Sequence, residues 1–426
     1  MGSILAERRN DLIDTAISIT LRGFPPREPV NIKVTQSFAD SLHWQASATF
    51  LSGDDGSVSV SEQAPLSGSY DGVSAMGLFW SLERVPGPSR PLGPGAIMQT
   101  LPVEIEAAGP AGSKARLVLE RRIAGVGVVR QEIRRDGIVG TLFLPSGLGP
   151  HPAVLVVSGA AGNVIEEFRA AVLASHGYAA LALAHSGFAG LPAALVDVAL
   201  EYFHGAIAWM RRQPWLRDDL LAVWGASRGG ELALLLGAMF PEINAVIAWV
   251  PSGVAFWAIG ADRPLRAAWT FRNQPVAYLQ ENNSGHDPAP QAAPGIPVAY
   301  TPFYRSFLRD AAAVERATIP VERTRGPVLL VSGSDDQMWP SSDLADIALR
   351  RLEAHRHPFA FQHLKYEGAG HQILVPYWPT TNRAVALSVE RFRGYLLSQG
   401  GSAKADAEAG VDAWARTLAF LADAQS

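Results

Sequence analysis

The 426-residue sequence contains no cysteine, which excludes disulfides, cysteine–zinc sites and a cysteine nucleophile. It has no long basic run and a formal net charge of -4, so it lacks the electrostatic signature of a nucleic-acid-binding protein. The histidines are scattered and form no metal-binding motif, so we expect neither a metal nor a cofactor. The hydrophobic content of 48% against 18% charged residues indicates a globular chain with an ample core.

We expect no signal peptide, no peroxisomal or ER-retention signal and no membrane span. Residues 1–15 carry several charges and no apolar stretch, so no signal peptide is expected. The last three residues, Ala-Gln-Ser, match neither a peroxisomal nor an ER-retention signal. The uncharged stretch Ile243–Ala261 has Pro251 and Gly253 near its middle, which favours a buried strand running into a loop over a membrane span. We therefore expect a cytoplasmic protein without a transmembrane segment.

Two different patterns divide the chain, and its length also favours two domains. Over residues 1–127, short apolar runs are broken by Gly, Pro, Ser and Asp clusters, which predicts an immunoglobulin-like β-sandwich. Over residues 128–426, apolar strands alternate with helices, which predicts an α/β domain with a parallel, doubly wound sheet.

Three stretches of the second domain have a distinct composition. Residues 254–314 are irregular and rich in Pro, Asn and aromatic residues, which favours a lid or pocket element over a plain surface loop. Their aromatic residues Phe256, Trp257 and Trp269 are candidate substrate-binding residues. We also predict a long helix over 191–212, and a linker over 400–410 that leads into an amphipathic helix over 411–424.

The sharpest motif is a G-x-S-x-G sequence, Gly225-Ala226-Ser227-Arg228-Gly229. The pattern alone is common, but here an apolar strand, Leu220–Trp224, precedes it and a helical pattern follows it. That strand–turn–helix setting is what a nucleophile elbow requires. It predicts an α/β-hydrolase domain in which Ser227 is lifted above the sheet as a nucleophile, rather than a passive serine in a glycine-rich turn.

A serine nucleophile needs a base and an acid, which in this fold follow it in the order Asp or Glu, then His. Of the five histidines after Ser227, His371 is preferred because it stands in a glycine-containing loop directly after a predicted strand. The preceding strand ends at Asp335-Asp336, and either aspartate could accept a hydrogen bond from the imidazole. Position in the sequence does not separate the two.

Two backbone amides should stabilise the oxyanion that forms during acyl transfer. One belongs to Arg228, the residue after the nucleophile. The other is expected in the glycine-containing loop Ser158–Gly162, after an earlier buried strand. We assign it to Ala160, with Ala161 as the alternative and as a candidate substrate contact.

The sequence resembles the type I acyl-CoA thioesterases and the bile acid-CoA:amino acid N-acyltransferases over nearly its whole length. The resemblance implies a β-sandwich followed by an α/β-hydrolase domain, and a triad of Ser227, Asp336 and His371. The N-acyltransferases carry cysteine at the nucleophile position, so Ser227 implies hydrolysis. The irregular stretch 254–314, which forms an insertion between two core strands, matches the family poorly. The motifs that carry the resemblance are 76–83 (MGLFWSLE), 117–121 (LVLER), 141–145 (TLFLP), 227–232 (SRGGEL), Asp335-Asp336 with Trp339, Gly370-His371, 376–379 (PYWP) and 411–414 (VDAW).

The hypothesis that follows is hydrolysis of an acyl-CoA or related small-molecule acyl thioester through an acyl-serine intermediate. Transfer or cyclisation onto an amine or alcohol, and hydrolysis of esters or lactones, use the same triad and stay open. A non-catalytic binding protein on this scaffold would need a broken triad, and the triad residues are all present. CoA phosphates would need basic residues such as Arg263, Arg266 and Arg272, although solvated surface charge explains these arginines more simply.

Overall fold

The computed structural model describes residues 2–38, 42–86, 95–162, 166–259, 266–280, 286–291, 293–386 and 394–425. It forms two compact units. The first comprises Met1–Gly125 together with Leu374–Asn382, and the second comprises Val126–Ile373 together with Arg383–Ser426. The predicted boundary at residue 127 places Leu374–Asn382 in the second domain, whereas this segment groups with the first unit.

The described strands of the first unit form two sheets. A smaller sheet has the order β1-β3-β6, and a larger one the order β2-β10-β9-β4-β5-β7, with β8 also paired to β5. In β4 buried Val30, Ile32 and Val34 alternate with more exposed residues, which is the pattern of a strand with one face on a core. The elements are β1 Ser3–Ala6, β2 Asn10–Leu12, β3 Ile19–Arg22, β4 Pro29–Phe38, β5 Leu42–Leu51, β6 Val58–Ser59, β7 Ser67–Gly68, α1 Gly77–Trp80, β8 Glu83–Arg84, β9 Thr100–Ala108 and β10 Lys114–Arg122.

The second unit is built on an eight-stranded sheet, whose order within the described residues is β11-β12-β14-β13-β16-β17-β20-β21. Only β12 is antiparallel to both its neighbours, and the pairs from β14 onward are parallel. Its strands are β11 Val129–Arg135, β12 Ile138–Leu144, β13 His151–Val157, β14 Ala179–Leu183, β16 Leu216–Ala226, β17 Ala245–Trp249, β20 Val328–Gly333 and β21 Phe361–Tyr366.

Apolar residues fill the centre of this sheet, because helices cover both faces of a parallel sheet. Every residue of β17 and β20 is buried, and all of β13 except its first residue. The helices are α2 Glu167–Ser175, α3 Leu200–Arg211, α4 Arg228–Met239, α5 Thr301–Phe307, α6 Ala311–Ala317, α7 Ser341–Ala354 and α8 Ala403–Asp423, and the remaining short strands are β15 Val198–Ala199, β18 Trp269–Phe271, β19 Gln274–Pro275, β22 Ala384–Val385 and β23 Leu397–Ser398.

The predicted fold class is confirmed, since a β-sheet unit precedes an α/β unit with a mostly parallel sheet. The carboxyl ends of β13, β16, β20 and β21 share one edge, so the loops after these strands meet there. None of the helices in the described residues has the length and apolar character needed to cross a membrane.

Two helix predictions were wrong in their extent. The helix predicted from Leu191 begins at Leu200, because Asp197 takes a positive φ of 48° and Val198–Ala199 pair with β18 in the insertion. The predicted linker 400–410 is helical from Ala403. Ser402 caps it through a 3.1 Å hydrogen bond from Ala405 N–H, and the alanine-rich residues that follow favour helix.

Candidate active site

Ser227 occupies a strained turn between β16 and α4. Its φ of 58° and ψ of -126° are rare for a residue with a side chain, and such strain concentrates at functional sites. The flanking glycines leave no room for a side chain. A Cβ on Gly225 would lie 2.0 Å from Gly229 O, and one on Gly229 would lie 2.7 Å from Val157 O. The turn therefore requires both glycines of the motif.

The structure brings Asp336 and His371 together, although 34 residues separate them in the chain. Nδ1 of His371 lies 2.8 Å from Oδ2 of Asp336, while Oδ1 of Asp336 accepts hydrogen bonds from the N–H groups of Met338 (2.9 Å) and Trp339 (3.3 Å). Asp336 is 4% exposed, and the Trp339 ring and the imidazole form a T-shaped contact at a centroid distance of 6.3 Å. Both oxygens of the carboxylate are thus fixed, and one is directed at the imidazole.

Asp335 makes a different set of contacts. It is exposed, and its Oδ2 accepts a 2.8 Å hydrogen bond from Gly401 N–H. Its Oδ1 accepts a 3.3 Å hydrogen bond from the Gln337 side chain. Of the two aspartates that position in the sequence left open, Asp336 is therefore the one that contacts the imidazole, and Asp335 supports the loop. The role of Asp336 as the acid of the triad stays a prediction.

The loop Ser158–Gly162 lies beside the turn of Ser227, because β13 pairs with β16 so that Val157 is opposite Gly225. A Cβ on Gly159 would be 3.7 Å from the Cβ of Ser227. Ala160 and Ala161 in this loop are half-buried, and Arg228 opens α4, where the first N–H groups have no partner within the helix. Among the described residues, Ser227 Oγ has no hydrogen-bond partner, so its link to His371 and the oxyanion assignment stay predictions.

A buried polar network behind the elbow was missed by the sequence analysis. Arg228 Nη1 lies 3.0 Å from Glu231 Oε2, and Trp269 Nε1 donates a 2.7 Å hydrogen bond to Glu231 Oε1. Arg228 Nη2 also donates to the carbonyl oxygens of Phe256 (3.1 Å) and Trp257 (3.3 Å). The sequence signal that could have revealed this network is an Arg–Glu pair three residues apart in an otherwise apolar helix. This network ties the insertion to the helix that begins after Ser227.

His185 is a second buried group that the sequence analysis did not single out. It is 0% exposed, and its Nε2 lies 3.1 Å from the carbonyl oxygen of Ser158, at the start of the candidate oxyanion loop. The edge of its ring contacts Trp269 at a centroid distance of 5.5 Å. Burial lowers the pKa of His185 to about 4, so the imidazole is neutral at pH 7 and supports the loop by hydrogen bonding.

The three aromatic residues proposed to bind substrate are packed among protein neighbours. Phe256, Trp257 and Trp269 are each 1% exposed. Trp257 stacks on Tyr304 at a centroid distance of 5.7 Å, and Phe256 contacts the ring of Trp339 at 5.9 Å. The described aromatic residues of the insertion therefore pack on one another and on Trp339, the residue in contact with His371, and substrate contact by these side chains stays a prediction.

The arginines considered for CoA phosphates have protein contacts where the structure describes them. Arg266 forms an ion pair with Asp197, and the Arg272 guanidinium lies 5.2 Å from the centre of the Phe271 ring. Arg263 lies outside the described residues. These contacts agree with the simpler interpretation of the arginines as surface charge.

The buried position of Glu231 predicts a specific pH dependence of stability. Burial raises its pKa from 4.5 to about 7, against the opposing effect of the Arg228 charge. The folded protein therefore holds this proton more tightly than the unfolded chain, so the contribution of Glu231 is complete below pH 4.5 and is lost as the pH rises towards 7. Glu231→Gln removes the titration, and the free energy of unfolding should then fall less steeply with pH, by at most about 1.4 kcal/mol per pH unit.

Urea unfolding at several pH values between 4.5 and 7 measures this slope. Glu353→Gln, which changes an exposed glutamate on α7, serves as the matched control and should leave the slope unchanged. An identical slope in Glu231→Gln and the wild type would contradict the prediction.

The arrangement defines the class of protein. A sheet whose strands, counted from β11, run in the order 1-2-4-3-5-6-7-8 carries Ser227 on its strand-to-helix turn, with Asp336 and His371 on later loops of the same edge. These are the features of the α/β-hydrolases.

Comparison with known proteins gives the family. The model described as "BAAT / Acyl-CoA thioester hydrolase C terminal" matches residues 198–425, and "Acyl-CoA thioester hydrolase/BAAT N-terminal region" matches residues 14–135. The chain belongs to this acyl-CoA thioester hydrolase/BAAT family, which confirms the resemblance seen in the sequence.

Curated relatives align over nearly the whole chain. The mouse (Mus musculus) peroxisomal succinyl-coenzyme A thioesterase is 30% identical, over 96% of this chain and 93% of its own. Mouse acyl-coenzyme A thioesterase 6 is 31% identical with the same coverage. Mouse acyl-coenzyme A amino acid N-acyltransferase 1 is 28% identical over 99% of this chain and 97% of its own. Among solved structures, Est1E from Butyrivibrio proteoclasticus matches at 19% identity with a TM-score of 0.36, over 57% of this chain and 90% of that one, a similarity too low to support an inference.

Proposed function

We propose that the protein is a serine hydrolase that cleaves an acyl-CoA or a related acyl thioester through an acyl-Ser227 intermediate. The observation that carries the proposal is the 2.8 Å contact between His371 and Asp336 at the edge of the sheet where Ser227 occupies its strained turn. The names of the relatives support the choice of thioester, because acyl-CoA thioesterases are among them.

In this mechanism His371 removes the proton of Ser227 as Oγ attacks the thioester carbonyl. Asp336 holds the Nδ1–H of the imidazole and stabilises the imidazolium that forms. The backbone N–H groups of Arg228 and Ala160 donate to the oxyanion. The thiolate then leaves and takes the proton from His371. His371 finally activates a water molecule, which releases the acid and regenerates Ser227.

Acyl transfer is the second candidate, because one relative at 28% identity is named an amino acid N-acyltransferase. Transfer or cyclisation would replace the water by an amine or alcohol, and the same residues would serve. The resemblance favours hydrolysis, since cysteine is the nucleophile expected in the transferases and Ser227 is present here.

A product assay separates these functions. The protein is incubated with acyl-CoAs of short, medium and long chain, with and without glycine or taurine, and the products are identified by mass spectrometry. We expect free acid and CoA in equal amounts whether or not an amine is present. Amide formation in the presence of an amine would establish transfer instead. The matching oxoesters, tested in parallel, should turn over more slowly, and a preference for them would point to an esterase.

A cytoplasmic location is part of the proposal. Two relatives carry the words "peroxisomal" and "mitochondrial" in their names, so location varies within the family. Cell fractionation followed by immunoblotting decides the compartment, and recovery with an organelle would overturn this part of the proposal.

A further inference from the structure

One segment of the second unit contacts both loops of the candidate acid–base pair. This segment, Gln399–Asp406, runs from the end of β23 into the first turn of α8. The His371 N–H donates a 2.7 Å hydrogen bond to Gln399 O, and the Gly401 N–H donates to Asp335 on the acid loop. Gly370 is pressed against Gly400, so that a Cβ on Gly370 would lie 2.4 Å from Gly400 O. The segment therefore fixes the distance between the loop of Asp336 and the loop of His371.

Asp406 is the one ionisable group of this segment that is fully buried. The N–H of Gly370, next to the candidate base, donates a 2.6 Å hydrogen bond to Asp406 Oδ1, and Arg383 forms an ion pair with Oδ2. The pKa of Asp406 is raised to about 6, chiefly by burial and to a smaller extent by the Asp336 charge, against the lowering effects of the Gly370 N–H and Arg383. A buried ion pair contributes little net stability, because desolvation of its charges offsets their attraction.

Helix capping does not explain Asp406. An acidic residue in a first turn can stabilise a helix through the helix dipole, but an exposed carboxylate would serve as well. Ser402 already caps α8 through the Ala405 N–H. The direct contact of Asp406 is instead with the backbone of the loop that carries His371.

We propose that Asp406 is a positioning residue that holds the Gly370–His371 loop against the acid loop, so that the imidazole stays between Asp336 and Ser227. This inference rests on the proposed function, because it assumes that His371 is the base. Asp406 acts through the Gly370 N–H, with Arg383 holding the carboxylate in place, and it does not touch the reacting atoms.

The test measures how fast a fluorophosphonate probe labels the full-length protein, since that rate reports activation of the serine without requiring the natural substrate. Asp406→Ala removes the acceptor of the Gly370 N–H and should slow labelling about 100-fold, the scale of a misplacement near 1 Å. Asp406→Asn keeps an oxygen that can accept this hydrogen bond and should recover most of the rate. Glu408→Gln, an exposed carboxylate on the same helix, is the matched control and should label at the wild-type rate.

The pH profile of labelling gives a readout that a purely structural role would not change. Asp406→Asn removes a negative charge near Asp336 and His371 and leaves the Arg383 charge uncompensated. Above pH 6, where Asp406 is mostly charged, both changes disfavour the imidazolium, so the part of the acid limb above pH 6 should move to lower pH. Arg383 and Asp336 are the charged groups that act on Asp406 itself.

Each outcome decides the inference or the function on which it rests. A folded Asp406→Ala protein that labels at the wild-type rate would overturn the inference, as would an Asn variant that is as slow as the Ala variant. If Asp406→Ala does not fold, an unmoved acid limb in Asp406→Asn overturns it. A folded wild-type protein that is not labelled at all would overturn the proposed function instead.

Discussion

Replacing Ser227 by alanine should lower kcat for acyl-thioester hydrolysis by roughly a million-fold, because no oxygen nucleophile remains on the elbow. Binding and the oxyanion donors would leave a residual rate of about 10³–10⁴ over water. The fold should be unaffected, because alanine keeps the Cβ of serine and takes the same positive φ at no added strain. Steady-state kinetics with a thiol-detecting reagent, alongside thermal unfolding, measures both effects.

A matched serine shows whether the effect is specific to Ser227. Ser342, at the start of α7, is half-buried, and its Oγ donates a 3.0 Å hydrogen bond to Gly333 O on the strand before the acid loop. Ser342→Ala should therefore lower the thermal stability, because this hydrogen bond is lost, and should leave kcat close to that of the wild type. A Ser227→Ala protein that keeps even a tenth of the wild-type kcat would be incompatible with covalent catalysis at this residue.

Asp336→Asn should lower kcat about 10⁴-fold, the size of effect known for this substitution in a serine-protease triad. The asparagine oxygen can still accept from the N–H groups of Met338 and Trp339, so the loop keeps its shape. Its amide nitrogen would then face Nδ1 of His371 and donate where the carboxylate accepted. The imidazole would be held in the wrong tautomer, with no free lone pair for the serine proton.

Asp335→Asn is the natural control for this substitution, because it makes the same aspartate-to-asparagine change at the neighbouring residue. Asp335 is exposed and supports Gly401 rather than the imidazole. We expect its kcat to stay within about tenfold of the wild type, since a lost surface contact costs little. A large loss in Asp335→Asn with a small loss in Asp336→Asn would reverse the assignment of the acid.

The fold and the order of the candidate site residues could be predicted because both depend on local patterns. Buried parallel strands are continuous apolar runs, and the elbow of Ser227 is a strand, a glycine-flanked serine and a helix in succession. The loops of His371 and of the pair Asp335-Asp336 could be placed because each directly follows a strand of the same sheet, although position did not separate the two aspartates. Strand order then brings the loops together.

Features that depend on contacts between distant residues could not be predicted. The start of α3 depends on the pairing of Val198–Ala199 with β18, 71 residues further along the chain. Glu231 looked like an ordinary helical glutamate because its partner Trp269 lies in the irregular insertion. The glycines near residue 400 suggested a linker, whereas they allow Gly400 and Gly401 to pack closely against the loops of Asp335 and Gly370.

The central claim is that Ser227 is the nucleophile, and locating a covalent adduct tests it most directly. Trypsin cleaves after Arg217 and Arg228, and the resulting peptide, Asp218–Arg228, contains Ser227 as its single hydroxyl-bearing residue. After treatment of the folded protein with a fluorophosphonate, mass spectrometry should find the adduct on this peptide, and it should be absent when the protein is denatured first. An unmodified 218–228 peptide from the folded protein, or an adduct on a different peptide, would contradict the account.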